Sequence, residues 1–386
     1  MQPNPGLVKR PALWTDAVFR DPRPCLDGAG RLALGVLSGE GIGPEVLRAA
    51  LGVLAAIEQA GQARFDVRTG GGIGREAEAR CGRTLSEEVE SFCEGIFADG
   101  GAVLAGPGGG RFVYDLRRRF DLYCKISPLR PFDALCHAAR LKVSAVADTD
   151  ILIVRENVGG VYQGKWMETF DAAQGRVCEH RFSYTERQVR RILQAAAALA
   201  AQRRGRLDVA VKEGGIPGIS ALWRELAAEA ASSAGVAVGW LDIDLIAYRL
   251  IQEPRAFDVI AASNLFGDVL ADLGAVLLAS RGVSFSGNFA EGGAAVYQTN
   301  HGSALDLAGL DRANPIGQIS ALAMMLRESF GLTREAGWIE AGIGDVLRLG
   351  FRTFDIAEEG TTLVGTAEMG ERIASAVARI ARFASE

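Results

Sequence analysis

Basic excess, long apolar runs and closely paired cysteines are all missing from this 386-residue chain, and each absence removes a class of function. The formal net charge is -5, with both signs interspersed and no sustained lysine or arginine block, which argues against nucleic acid as the main partner. No hydrophobic stretch approaches the ~20 residues of a membrane helix, and the start, Met1-Gln2-Pro3-Asn4-Pro5, lacks the apolar core of an export signal. Cys25, Cys81, Cys93, Cys124, Cys136 and Cys178 form no C-x-x-C pair and have no metal-ligand spacing. They are expected to be free, mostly buried thiols of a reducing compartment. A cytoplasmic protein with neither a membrane nor a nucleic-acid partner is the expectation.

What is present is apolar content and alternation. With 48% hydrophobic residues the chain is long enough for two cores. Residues 1–30 are Pro-rich and patternless, an extension packed on the surface or partly disordered. Short apolar strands then alternate with amphipathic helices, the pattern of an α/β fold with a mainly parallel sheet. Strands are expected at 32–37, 64–68, 102–105, 151–155, 207–212, 236–242 and 257–262. Helices are expected at 44–60, 86–98, 186–204, 221–234, 245–252, 267–279, 316–328 and 367–383. Ser183 with Glu186 fits a capping box before the Ala-rich helix, and Gly205 stops it.

The segment Asn264-Leu265-Phe266-Gly267-Asp268-Val269-Leu270-Ala271-Asp272 opens a helix directly after a buried strand. Asp268 and Asp272 are four apart, so both carboxylates lie on one helical face. Alone, such a pair is usually a solvated acidic face; with a function, its hard oxygen donors suit Mg2+ or Mn2+. Three glycine clusters, 39–43, 70–74 and 106–110, follow strands. Residues 70–77 contain a loose G-x-G-x-x-A, but no strand ending in an acid follows about 20 residues later, so a true Rossmann fold is not expected. These loops are read as walls of a cleft.

Several segments together resemble the β-decarboxylating dehydrogenases, the family of isocitrate, 3-isopropylmalate, homoisocitrate and tartrate dehydrogenases. Gly39-Glu40-Gly41-Ile42-Gly43-Pro44-Glu45 resembles the family's G-D-G-I-G-P-E, and Leu116-Arg117-Arg118-Arg119-Phe120-Asp121-Leu122-Tyr123 its L-R-x-x-x-D-L-Y. Val154-Arg155-Glu156-Asn157 through Tyr162-Gln163-Gly164 is similar to V-R-E-N-x-x-G-x-Y-x-G. The Asn264–Asp272 run and His301-Gly302-Ser303-Ala304-Leu305-Asp306-Leu307-Ala308-Gly309, ending at Ala313-Asn314-Pro315, complete the set.

The resemblance implies two α/β domains in an isopropylmalate-dehydrogenase-like fold: 31–131 with 281–386 for cofactor, and 132–280 for dimer contacts. It implies a homodimer with shared sites, in which Asp268 and Asp272 bind the metal with Asp244 of the partner subunit. Tyr162 matches the general acid and Lys212, also from the partner subunit, the base. Arg117 and Arg155 match substrate clamps, a task suited to a bidentate fork. His301, Gly302, Ser303, Ala304, Asp306 and Asn314 match the loop that holds the cofactor's adenosine. An acid at Asp306 would repel a 2′-phosphate, which favours NAD over NADP.

The departures fall on substrate contacts. Ser127 stands where the family has its third clamping arginine; Arg130, through a re-formed loop, or Lys125 are the candidates to replace it. Gly110 and Arg111 occupy the positions that read the substituent on the substrate's third carbon. Arg111 with Tyr114 suits a polar, anionic or aromatic group, so the expected substrate is a 3-substituted malate other than the housekeeping ones. The alternatives are a housekeeping member of the family, or a non-catalytic regulatory subunit.

Overall fold

Apolar stretches become strands here because both faces of the sheet are covered. The computed structural model describes residues 12–19, 30–61 and 63–384. The first half contains β1 (Leu32–Leu37), α1 (Gly43–Ala60), β2 (Phe65–Thr69), α2 (Arg75–Cys81), α3 (Glu87–Ala98), β3 (Ala102–Ala105), α4 (Phe112–Arg119) and β4 (Cys124–Leu129). Next come α5 (Val143–Val146), β5 (Ile151–Glu156), a hairpin of β6 (Lys165–Asp171) and β7 (Gly175–Arg181), and α6 (Glu186–Ala201). They are followed by β8 (Arg206–Val211), α7 (Pro217–Ala234), β9 (Ala237–Asp242), α8 (Ile243–Gln252), β10 (Val259–Ala262) and α9 (Asn264–Gly274). The chain ends with β11 (Phe285–Phe289), β12 (Ala295–Thr299), α10 (Ile316–Glu328), α11 (Thr333–Arg348), the short pair β13 (Phe351–Arg352) and β14 (Thr362–Leu363), and α12 (Thr366–Phe383).

Ten strands form one sheet in the order β2-β1-β3-β12-β11-β4-β5-β10-β8-β9. The pairs from β2 to β12 are parallel, as are those from β5 to β9. Between these blocks β11 and β4 pair antiparallel with all their neighbours, so the two blocks run in opposite directions. The mixed, largely parallel α/β sheet expected from the sequence is thus present. β1, β3, β5 and β10 are buried along their whole length, which is why they read as continuous apolar runs. α10 is buried on nearly every side and supplies the centre of one core.

All the expected strands and helices are present, with shifted ends. The cap of α6 is Thr185 with Gln188, not Ser183 with Glu186: the Thr185 hydroxyl accepts the Gln188 N–H and the Gln188 amide oxygen accepts the Thr185 N–H. Both pairs satisfy the sequence pattern, and the extended backbone at Thr185 selects the second. α6 ends at Ala201, before Gly205, and α9 starts at Asn264 and gives way to a 3-10 turn at Ala275. The elements α2, α4, β4, β11, β12, α11 and the β6–β7 hairpin were not expected.

Of the extension, residues 1–11 and 20–29 lie outside the described residues, as does Cys25. The described part packs closely: Leu13, Val18 and Phe19 are buried, and Phe19 meets Phe289 edge to face at 5.8 Å. Thr15 donates its N–H to Glu328 Oε2 (3.1 Å) and its hydroxyl to the Glu328 carbonyl (2.9 Å). The remaining five cysteines are free; Cys93, Cys124 and Cys136 are buried, whereas Cys81 and Cys178 are exposed.

Candidate active site

Strand ends gather the charged residues. Arg155 is the penultimate residue of β5, and Asn264 and Asp268 lie on α9, which leaves the neighbouring strand β10. The Arg155 guanidinium is 2% exposed. It donates to Asn264 Oδ1 from Nε (3.1 Å) and Nη2 (2.7 Å) and ion-pairs through Nη1 with Asp268. Asn264 is fixed in turn, because its amide donates to the Gly159 carbonyl at 2.8 Å and its N–H to the Tyr184 hydroxyl at 2.9 Å. Gly267 makes the approach possible. A Cβ there would stand 2.7 Å from Arg155 Cβ, so the helix sits on the arginine stem only because that position is glycine. Asn264 had no role assigned from sequence, although it opens the recognised run.

Burial disfavours the ionised form of Asp268, but Arg155, then Lys125, Tyr162 and Arg117, together hold its carboxyl below the usual aspartate range. Tyr162, on the turn Val161–Gln163, faces it; burial and the Asp268 charge push its phenol above the ordinary value, so it stays protonated at neutral pH. Arg155 lies 5.6 Å from the Tyr162 ring centre and Arg117 6.0 Å from that of Tyr114; the two tyrosine rings are 5.1 Å apart. Arg117 is buried at the end of α4, and desolvation, then Arg155, pulls its pKa down to about 9.

The two candidates for the third cation, and Arg111, are placed differently. Arg130 is exposed, beyond the end of β4, and the structure does not bring it to the cluster. Lys125 is there instead: it is 4% exposed and pairs in register with Arg155. Burial, then Arg117 and Arg155, lowers its pKa well below the ordinary lysine value. Arg111 is half-exposed and already engaged, its guanidinium lying 5.5 Å from the Tyr114 ring centre and 5.0 Å from that of Trp166. It also donates to the Tyr162 carbonyl at 3.3 Å, so it braces the turn that carries Tyr162. Trp166, on the exposed β6–β7 hairpin, had no signal in the sequence.

Lys212 and Asp244 form a second group. The Lys212 ammonium donates to Asp244 Oδ1 (2.5 Å) and Asp242 Oδ2 (3.1 Å), where β8 and β9 end and α8 begins. These hydrogen bonds, Asp244 first, raise the Lys212 pKa, and the same bond lowers that of Asp244. Among the described residues no hydrogen bond or ion pair joins this group to Asp268, Asp272 or Tyr162. Nor do three acidic, histidine or cysteine side chains of the described residues converge as a metal centre. What one chain offers a divalent ion is Asp268 and Asp272, two hard carboxylates on one helical face, each partly open. That donor chemistry fits Mg2+ or Mn2+ once a further oxygen ligand is added.

Asp272 pairs with Arg281 at 3.0 Å, and Arg281 lines a cavity of about 300 Å³ together with His301, Gly302, Ala304, Asn314 and Asp355. Ile42, Leu307 and Ala313 give it an apolar wall. His301 Nε2 is buried without a partner, and desolvation lowers the pKa of the ring, so a neutral imidazole faces the cavity. Ser303 turns away, its carbonyl accepting the Ile42 N–H at 3.0 Å. Gly41 allows that contact at φ +59°, where a Cβ would meet the Ser303 carbonyl oxygen at 1.9 Å. Asp306 is exposed on the same turn and is not part of the cavity wall. Glu40 anchors the glycine loops: its carboxylate accepts the N–H groups of Gly109 (2.7 Å), Arg75 and Glu76 (3.3 Å). A carboxylate at their centre makes these loops cleft walls and not a phosphate cradle.

The comparisons with known proteins agree with this architecture. The family model described as isocitrate/isopropylmalate dehydrogenase matches residues 33–373. A 3-isopropylmalate dehydrogenase of Aquifex aeolicus is 35% identical over 90% of this chain and 97% of its own length. Another, from Synechococcus sp. strain JA-3-3Ab, is 38% identical over 89% and 92%. The crystal structure of isocitrate dehydrogenase from Methylococcus capsulatus superposes with a TM-score of 0.78 at 28% identity, over 89% of this chain and 99% of that one. The chain therefore belongs to the isocitrate/isopropylmalate dehydrogenase family of β-decarboxylating oxidoreductases.

Proposed function

We propose that the chain oxidatively decarboxylates a 3-substituted malate, using NAD and Mg2+ or Mn2+, as a homodimer with shared active sites. The observation that carries this reading is the buried pair of guanidiniums, Arg117 and Arg155, beside an ionised Asp268 and a protonated Tyr162. Asp268 and Asp272, joined by Asp244 of the partner subunit, would hold the ion, and the His301–Asn314 loop the adenosine of NAD. Domains 31–131 with 281–386, and 132–280, would form the two walls of the cleft. When bound, the ion supplies Lewis-acid stabilisation of oxyanion charge and the nicotinamide accepts the hydride.

The chain's own residues do the rest. Arg117 and Arg155 fix the diacid through charge-assisted bonds in a site where such bonds are strong because it is dry. Lys212 of the partner subunit takes the hydroxyl proton. It is held as an ammonium by Asp244 and Asp242 in the single chain, so it becomes a base only when Asp244 is drawn off to the other cluster. Tyr162 delivers a proton to the carbon from which carbon dioxide has left, and Arg111 keeps its turn in place. Asp306, exposed on the His301–Asn314 loop, would be the acid that disfavours a 2′-phosphate.

NADH formation with Mn2+ across a panel of 3-substituted malates tests this. Turnover of at least one diacid that needs both NAD and a divalent ion is expected. Strong preference for 3-isopropylmalate would make the enzyme a housekeeping one, and no turnover with any diacid would overturn the reading.

A further inference from the structure

We propose that Lys125 is the third cation of the substrate clamp, taking over from the arginine that Ser127 replaces, and that it grips the substrate's second carboxylate. This rests on the reading of the site as one for a hydroxy diacid. Lys125 lies on β4 between Arg155 of β5 and Asn288 of β11, in register with both. It is 4% exposed, and among the described residues nothing accepts a hydrogen bond from its ammonium. The nearby groups are engaged elsewhere: Asn288 Oδ1 takes the Asn157 amide at 2.9 Å, Arg155 holds Asp268, and Arg281 holds Asp272, while Asn157 Oδ1 is buried without a donor. Arg117 Nε is buried without a partner. Three buried basic side chains, Arg117, Lys125 and Arg155, therefore lie together with the partly open Asp268 and Asp272 to offset them, an arrangement that a bound anion would complete.

The strand explains how the charge moved. Residues 125 and 127 project from the same face of β4, roughly 6.6 Å apart, so a cation lost at one is recovered at the other without turning the strand. Arg130 stands five residues along, roughly 16 Å away and on the opposite alternation, so it cannot substitute. Lysine also changes the grip, because it offers a point charge and three rotating donors in place of a planar fork.

The test is Lys125→Met, beside Lys125→Arg and Arg130→Met, with steady-state kinetics on the best diacid and calorimetric binding of malate to enzyme free of NAD. Lys125→Met should weaken malate binding and raise KM on the order of 50-fold, the scale of one charge-assisted contact, with a smaller change in kcat. Lys125→Arg should restore most of this, and Arg130→Met should leave both unchanged. A 2-hydroxy monoacid lacking the second carboxylate should not distinguish Lys125→Met from the parent. The Met variant should unfold no earlier than the parent, since it replaces a buried polar amine with an apolar side chain of similar length. Unchanged diacid binding in Lys125→Met, equal losses on diacid and monoacid, or a loss in Arg130→Met would overturn the assignment. If the parent binds malate through Lys125 but oxidises no diacid, the clamp stands and the proposed reaction falls.

Discussion

Two clusters of family-motif residues are built in opposite ways. Arg155, Asn264, Asp268 and Tyr162 are assembled within one chain and cross-bonded around a buried Arg155 and Asn264, with a glycine at position 267 of the helix to let the arginine in. The side chains of Lys212, Asp242 and Asp244 are partly to largely exposed, and the Lys212 ammonium is bonded to the two aspartates beside it. The first is fixed within one chain by long-range side-chain bonds; the second is a local ion-paired group. On the proposed function, preorganisation would be concentrated where the substrate is gripped, and the Lys212–Asp244 pair would be completed by a second copy.

The largest contrast should come from charge removal. Asp268→Asn and Asp244→Asn should each cut kcat/KM by at least about 1000-fold if both serve one ion. Only Asp268→Asn should also shift the urea midpoint, because it leaves buried guanidinium charge unbalanced; equal shifts would erase the distinction. Next, mixing Lys212→Ala chains with Asp268→Ala chains should restore roughly a quarter of parental activity, since half the dimers carry one intact site. No recovery would confine each site to one chain.

Gly267→Ala gives a smaller, one-sided effect. Its methyl meets the Arg155 stem, so KM for the diacid should rise several-fold while binding of a metal-independent NADH probe stays the same. The smallest effect is in pH and salt. Asp268 and Asp244 are both depressed below 3.8, so each adds stability that is complete above that value and lost as pH falls through the lower folded value. At about 0.5 M salt the exposed Asp244 contribution should vanish from the acid limb of a denaturation series and that of Asp268 should persist.

How much of this could be read beforehand depended on the kind of signal. The N-L-F-G-D-x-L-x-D run was legible because helical spacing alone puts Asp268 and Asp272 on one face, and α9 does begin there. Buried parallel strands were legible as unbroken apolar runs. β4 was not, because Cys124-Lys125-Ile126-Ser127-Pro128 interleaves polar residues with apolar ones, although Lys125 and Ser127 are buried. The sequence left Arg130 and Lys125 as alternatives for the missing third cation, because strand alternation was not legible there. Asn264 as the residue orienting Arg155, and Arg111 as a brace stacked on Trp166, depend on contacts between positions over 50 apart, which no local pattern encodes. The cap at Thr185 was missed for a plainer reason: two overlapping patterns fitted, and backbone conformation chose.

The small anchorage at Thr15 has a practical outcome. Glu328 is 3% exposed, and burial pushes its carboxyl up to about 7 against the pull of Thr15 and Arg327. Trimming the leader back to the first strand, a tempting step when designing a shorter expression clone, would strip that acid of its amide and hydroxyl donors and bare the ring of Phe289. The product would differ at neutral pH, with an opening at the end of α10 beside the sheet, and its kinetics would not report on the original.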